Sequence, residues 1–268
     1  MTELVHITRI AGLTGFELLE VQRSERTWRL VNERYCISVM LSGRTTYRYR
    51  GKSYEKTRGD ITLHEPGEAY ASSAQRGKGR AITFFLRPEL VAIMVDSARP
   101  PHFRPGPSND ARLVAAFTKV AAAVRSGHAP IQAQLCLIDA LDAAMTSRRE
   151  RSNERLLPRD WEHPAVRKAK KRLHEAALAG IPLSDLASEA GVHPLHLVRL
   201  FRKEVGMPPH AYSVALRVAR ARELLNKGRT ATEVAAMLGY FDQSHLSRHF
   251  KAALSMTPGR YRDHSLAA

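Results

Sequence analysis

Gly239-Tyr240-Phe241-Asp242-Gln243-Ser244-His245-Leu246-Ser247-Arg248-His249-Phe250-Lys251 decides how this chain folds, because an earlier stretch, Gly191 to Lys203, repeats its pattern. Leu186-Ala187 precedes Gly191 as Val234-Ala235 precedes Gly239, at an offset of 48 residues. Leu197-x-Arg199-x-Phe201 matches Leu246-x-Arg248-x-Phe250, now at an offset of 49. Met207-Pro208-Pro209-x-x-Tyr212 matches Met256-Thr257-Pro258-x-x-Tyr261 in the same way. The second copy thus has one more residue in its turn. Self-similarity of this kind marks a duplicated supersecondary unit.

Each copy reads as a short helix, a glycine able to take the left-handed conformation that closes a helix, and a second helix. Leu197, Leu200 and Phe201, and likewise Leu246 and Phe250, form the buried stripe of the second helix. Its other face carries His196, Arg199 and Lys203 in one copy, and Gln243, Ser244, Ser247, Arg248 and Lys251 in the other. That is a helix-turn-helix with a polar reading face. Arg, Gln and Ser hydrogen-bond base edges, and Lys suits phosphate.

The caps differ. Thr230-x-x-Glu233 is a capping box, whereas Pro182 at the matching place has no side-chain acceptor. The first helix of the first copy is therefore expected to start at a displaced or looser point. Between the copies, Pro209 to Asn226 reads as one helix with Val214, Val218, Ala221 and Leu225 along one side. Such a rod is about 27 Å long, which suits two recognition helices spaced near one DNA turn, about 34 Å.

Composition agrees with a polyanion-binding protein. Lys and Arg number 42 against 26 Asp and Glu in 268 residues, a formal charge of +16. Residues 156–268 hold 18 basic and 10 acidic side chains, and residues 1–155 hold 24 and 16. The excess is equal in the two parts, so the shorter one is more densely basic. Two cysteines far apart, Cys36 and Cys136, suggest buried thiols in a reducing compartment. No apolar run approaches the roughly 18 residues of a membrane span, and MTELVHITRI is not a secretory signal. A cytoplasmic location without membrane contact is the expectation.

Upstream the texture changes. Within residues 1–105, Cys36–Leu41, Thr45–Tyr49, Asp60–Leu63 and Ala81–Leu86 read as short strands, punctuated by Gly43, Gly51, Gly59, Gly67 and Gly77. Evenly spaced turns point to a small β-sandwich or barrel. Residues 109–149 show helical spacing (Leu113, Phe117, Val120, Val124, then Ile131, Leu135, Ile138, Leu141, Met145) broken at Gly127 and Pro130, which predicts a helical hairpin. The second stripe either pairs with its copy in a homodimer or covers the barrel. Ser147–Arg155 is polar throughout and is the linker candidate.

The stretch Gly239–Lys251 with Thr257-Pro-x-x-Tyr-Arg262, and Leu183 to Tyr212 before it, resembles the C-terminal domain of the AraC/XylS family of bacterial transcription regulators. The resemblance places recognition helices at His193–Lys203 and Asp242–Lys251. The DNA-binding candidates are then Leu195, His196, Val198, Arg199, Lys203, Gln243, Ser244, His245, Ser247, Arg248 and Lys251. The chain departs from the family at His193-Pro194, at Leu246, and at Ser255, where glycine is usual.

Arg58-Gly-Asp-Ile-x-Leu-x-x-Pro-Gly-Glu68 similarly resembles the cupin-like effector barrel of that family. The resemblance implies a multidomain α+β chain: a cupin-like effector-binding and dimerisation domain with helical hairpin over 1–150, a linker at 151–163, and an all-α double helix-turn-helix domain over 164–268. It further implies promoter DNA and RNA polymerase as partners, a small-molecule effector, an activating role and a possible homodimer. Trp28, Tyr35, Tyr47, Tyr49, His64 and Tyr70 either line the effector pocket or pack the barrel. A cupin-type enzyme with an accessory DNA-binding domain is the alternative. A metal cupin needs clustered His with Glu. The amino-terminal part offers only His6, His64, His102 and His128, with Tyr70 two residues after Glu68. No metal, cofactor or catalytic residue is therefore expected.

Overall fold

The computed structural model describes residues 4–10, 12–24, 27–73, 76–96, 101–127, 130–149, 162–176 and 180–266. Its first part is an antiparallel sheet of eight strands: β1 (Leu4–Thr8), β2 (Phe16–Ser24), β3 (Arg29–Asn32), β4 (Tyr35–Tyr49), β5 (Lys52–Thr57), β6 (Ile61–His64), β7 (Glu68–Ser72) and β8 (Arg76–Leu86). The sheet order is β1-β2-β8-β4-β7-β3, with β5 and β6 also paired to the long β4, so the sheet curls into a half-barrel.

Gly43 does not end a strand, as its spacing suggested. It lies inside β4 at φ +87°, where the register against β8 shifts twice between Met40 and Arg44. A glycine at positive φ within a strand is a bulge, and it lets one strand serve the partners of two. Gly77 likewise falls within β8, while Gly51, Gly59 and Gly67 are turns at positive φ.

Both faces of the sheet are covered. Phe16, Leu18, Ile37, Val39, Ile61, Leu63, Ile82, Phe84 and Leu86 pack under α1 (Pro88–Met94), α2 (Ala111–Arg125) and α3 (Pro130–Arg149). Leu19, Val21, Trp28, Cys36 and Phe85 face the other way, into a core shared with the carboxy-terminal helices. Two-sided burial explains why Phe16–Val21 shows no alternation of polar and apolar residues.

The expected helical hairpin is present, with Asp110 capping α2 by accepting from the N–H groups of Arg112 and Leu113. Its second helix does two things at once. Ala133, Leu137, Ala140, Leu141 and Ala144 are buried against α2 and the sheet, while Ile131, Leu135 and Ile138 are exposed. The linker at 151–163 lies outside the described residues except for Glu162 and His163.

The rest is helical: α4 (Pro164–Glu175), α5 (Leu183–Ala190), α6 (Pro194–Glu204), α7 (Pro209–Asn226), α8 (Ala231–Met237), α9 (Gln243–Leu254) and α10 (Pro258–Leu266). The connector α7 has the expected ends but not the expected single apolar side. Tyr212, Ala215, Leu216, Val218, Ala219, Ala221, Arg222 and Leu225 are all buried, because the helix lies between two cores. One joins β2, β4 and β8 to α7–α10, and the other joins β3 and β7 to α4–α7. Apolar residues around most of a helix mean burial on more than one side.

Candidate functional site

The repeated units are α5–α6 and α8–α9, and their turns are built alike. Gly191 stands at φ +72° and the Val192 N–H donates to Ala187 O at 3.0 Å. Gly239 stands at φ +66° and the Tyr240 N–H donates to Ala235 O, also at 3.0 Å. This six-to-one closure of a helix end needs the left-handed residue that glycine supplies without strain.

The helix starts are chemically unlike. Thr230 Oγ1 accepts from the Glu233 N–H at 3.2 Å while Glu233 Oε2 accepts from the Thr230 N–H at 2.7 Å, completing the capping box. Pro182 makes no side-chain cap, yet α5 begins at Leu183, the position matching Ala231. The expected displacement is therefore absent. The proline ring presets an extended backbone just before the helix, at φ −56°, and the Pro182 carbonyl accepts the first helical bond from Leu186 as Thr230 does from Val234. His193 Nδ1 caps α6 by accepting from the Leu195 N–H at 3.3 Å, and Asp242 caps α9 by accepting from the His245 N–H at 2.6 Å.

Leu195, His196, Arg199 and Lys203 are exposed on α6, and Val198 is half-buried beside them. Gln243, Ser244, Arg248 and Lys251 are exposed on α9, with His245 and Ser247 half-buried. Leu195 is 59% exposed, as are several other large apolar side chains of the molecule, Ile93 and Ile131 among them. Two polar candidates are already engaged within the fold. Gln243 Oε1 accepts from Thr232 Oγ1 at 3.0 Å, tying α9 to α8. His245 sits edge-on to Tyr240, with its Nε2 3.0 Å from His249 Nε2. Burial and then the charge of His245, Arg217, His210 and Arg248 hold His249 below the usual histidine range. Sequence reading passed over Phe241, which stands 94% exposed in the turn before α9.

The half-barrel grips both units. Arg48 donates to the carbonyls of Arg202 and Lys203 at 3.1 and 2.7 Å, and the Gly51 N–H donates to Glu204 O at 2.9 Å. Barrel groups thus satisfy the carbonyls that the end of α6 leaves open. On the other side, Glu17 of β2 is 1% exposed and holds a buried cluster together. Its Oε2 accepts from Arg222 at 2.8 Å. Its Oε1 accepts from Arg9 at 2.8 Å, Asn226 at 2.8 Å and the Tyr261 hydroxyl at 2.5 Å. Arg34 approaches Glu17 at 3.2 Å and also pairs with Glu223, which Arg87 reaches at 2.6 Å. Burial alone would raise the Glu17 carboxyl, but Arg222, Arg34, Arg9 and the Tyr261 hydroxyl together hold it well below the usual carboxylate range. Buried acids and arginines in sheet and connector looked like surface charges in the sequence, so this cluster was missed.

Within the half-barrel a cleft partly open to solvent is lined by apolar Leu19, Val21, Trp28, Leu30, Ala81 and Phe85. Its polar wall comprises Asn32, Cys36, Ser38, Lys56, Thr62, His64, Tyr70 and Thr83. Of the effector candidates, Trp28, His64 and Tyr70 line this cleft. Tyr47 and Tyr49 stand behind them, with ring centroids 5.6 and 4.4 Å from His64. Tyr35 faces the opposite core, where its hydroxyl donates to Pro101 O at 2.9 Å and its ring meets Phe103 edge-on. The cleft touches the buried cluster. The Arg222 guanidinium lies 4.3 Å over the Phe85 ring, and its Nη1 donates to Asn32 Oδ1 at 3.4 Å.

Comparison with known proteins agrees with this geometry. Residues 186–264 match a family described as a helix-turn-helix domain. The chain is 37% identical over 82 residues to the regulatory protein Ada of Salmonella typhimurium, covering 31% of this chain and 23% of that protein. It is 35% identical over 102 residues to a putative AraC-like transcription regulator of Streptomyces lividans, covering 38% and 34%. The chain thus spans about a quarter to a third of the length of the curated relatives it matches. Apo ToxT of Vibrio cholerae shares the fold of nearly the whole chain, with a TM-score of 0.56, 12% identity and coverage of 94% and 98%. The same protein solved with an unsaturated fatty acid bound gives a TM-score of 0.52 at 12% identity, covering 95% and 97%. No helix among the described residues is long and apolar enough to cross a membrane. The carboxy-terminal region of this chain, with its two glycine-closed units, thus carries a helix-turn-helix domain over residues 186–264 and is similar there to proteins described as AraC-like transcription regulators.

Proposed function

We propose that the chain is a sequence-specific transcription regulator that reads promoter DNA with α6 and α9 and responds to a small molecule held in the half-barrel. The observation that carries this is the duplicated helix-turn-helix with Leu195, Arg199, Gln243, Ser244 and Arg248 on its outer faces. The cleft supports the effector role: a mostly apolar wall with a few polar groups is what small-ligand sites look like. ToxT, which shares the fold, has been solved with a fatty acid bound. Asn32 and Phe85 contact both the cleft and Arg222, so an occupant that displaces either changes how the sheet holds α7. An effector shifts the balance of DNA-binding states only if it favours one of them.

The finer parts of the reading are activation through contact with RNA polymerase, a role without catalysis, and a homodimer. The stripe Ile131, Leu135 and Ile138, exposed on α3 at one-turn spacing, supports a helix-to-helix pairing of two copies. Footprinting of genomic fragments across a salt series tests the core of the proposal. Discrete protected sites, with affinity falling steeply as salt rises, are expected from phosphate contacts that release counterions. A flat salt response, or protection without sequence preference, would refute it.

A further inference from the structure

The polar wall of the cleft is organised around one cation. Lys56 of β5 is 3% exposed, and its Nζ donates to Ser38 O at 2.7 Å and to Thr62 Oγ1 at 3.2 Å. Both partners line the cleft and both are uncharged. No carboxylate among the described residues pairs with Lys56. Asp60, which acts on it from further off, has one carboxylate oxygen taken up by the Thr57 N–H at 2.7 Å and the Thr57 hydroxyl at 3.0 Å. An ammonium has three donors and needs a counter-charge when removed from water. Here two donors are used and the counter-charge is missing.

We propose that the cleft takes a small organic monoanion, with its carboxylate paired to Lys56 and its apolar body against Leu19, Val21, Trp28 and Phe85. The inference rests on the reading of the half-barrel as an effector module and adds the chemical class of the ligand. The apolar wall selects against compact, strongly hydrated anions such as sulfate, because their hydration could not be replaced there. A carboxylate on a hydrocarbon frame satisfies both halves of the lining. Its apolar end would rest on Phe85, whose ring lies beneath Arg222.

Titration supplies a signature. Burial pushes the Lys56 ammonium down to about 7, and Cys36 and Asp60 oppose that shift only in part. Burial likewise holds the Cys36 thiol up at about 12, so it is uncharged at neutral pH. His64 and Tyr70 are the other titratable side chains of the wall, and Tyr70 is also raised by its burial. At pH 8 the empty cleft therefore holds mostly neutral Lys56, and an arriving carboxylate restores the charge by taking up a proton.

Calorimetry on the full chain tests this with two matched pairs, phenylacetate with phenylacetamide and octanoate with octanamide. It is run at pH 6, 8 and 9 in buffers of different ionisation enthalpy. At least one acid should bind ten-fold or more tighter than its amide. Uptake of close to one proton is expected at pH 8 and close to none at pH 6, with affinity falling roughly ten-fold from pH 8 to 9. Lys56→Met should abolish the preference for the acid and Lys56→Arg should retain it. The wild-type proton count decides the matter if either variant fails to fold. Amides binding as well as acids, or no proton uptake at pH 8, would overturn the anion while leaving the effector module standing. Binding of neither acids nor amides at millimolar concentration, with specific DNA binding intact, would overturn both the anion and the effector reading.

Discussion

The two helix-turn-helix units share a turn and differ in almost everything that holds them in place. The matched tyrosines show it most directly. Tyr212 closes the first unit from within, its hydroxyl 2.9 Å from His174 Nε2 on α4. Tyr261, at the equivalent place in the second, reaches out of its unit to the buried carboxylate of Glu17 in the sheet. The first unit is held at the end of its recognition helix, where Arg48 and Gly51 bind the carbonyls of α6. Gly206 at that end comes so close that a Cβ would lie 3.1 Å from those of Ala71 and Arg48. The second unit has its own capping box and aspartate cap and touches the sheet through α7 and α10. Both units share an apolar core with the sheet, and the duplicated motif has acquired two kinds of polar attachment beside it, one peripheral at the end of α6, the other ionic and buried.

Removing the buried attachment should have the largest effect. Glu17→Gln leaves Arg222, Arg34 and Arg9 without their shared charge, and breaking a buried pair from one side costs about 3–5 kcal/mol. Urea unfolding measures the loss, and hydrogen exchange should show α10 and the second unit opening before α6. Equal loosening of both units would remove the distinction. The pH dependence has a definite sign. Glu17 is held below its unfolded value, so its contribution is full above the ordinary carboxylate range and is lost as pH falls through the folded value. Wild-type protein should therefore keep its second unit docked below pH 4.3, the usual glutamate value, and Glu17→Gln should lack that acid transition.

On DNA the comparison is between reading chemistries. Arg248→Ala should cost about 1–3 kcal/mol at a bound site if the side chain holds a base edge by two hydrogen bonds. On the proposed reading, Leu195 and Val198 would give α6 apolar contact with thymine methyls. Replacing thymine by uracil in the first half-site should weaken binding more than the same change in the second, as footprint titrations would show. Equal loss on specific and random DNA would reduce Arg248 to a phosphate contact.

Smaller effects come from the caps. Thr230→Ala should cost about 1 kcal/mol, while Pro182→Asp should stabilise the first unit by a similar amount, bringing the two starts closer together. The smallest is at the closing residue. Gly206 ends the first unit at φ +85°, and Ser255 takes the same role in the second at φ +59°, where a side chain is strained. Ser255→Gly should raise stability by about 0.5–1 kcal/mol in thermal unfolding. A loss would show that the serine side chain earns its place.

The repeat, both turns, the ends of α7, the capping box and the hairpin α2–α3 could be read from the chain, because each depends on residues within a few positions of one another. Helical spacing, a glycine at a helix end and a threonine three residues before a glutamate are local matters. The strands before Tyr35 were harder, since two-sided burial erases the alternation by which a half-buried strand is known. The effector candidates show the same limit. Six aromatic and imidazole side chains were picked by type, and tertiary packing puts Trp28, His64 and Tyr70 at the cleft, Tyr47 and Tyr49 behind it, and Tyr35 in another core. Lys56 drew no notice, because a lysine between Glu55 and Thr57 reads as solvated.

The sequence by itself thus determined the two helix-turn-helix units and the polar faces of their second helices. Only the tertiary structure decided that Glu17, Lys56 and Arg222 are buried, that α3 hides one apolar face and leaves another open, and that the two units are held differently. The physical reason is one of range. Hydrogen bonds within a helix join residues four apart, whereas Glu17 meets Tyr261 across 244 positions, where no local pattern of residues records the pairing.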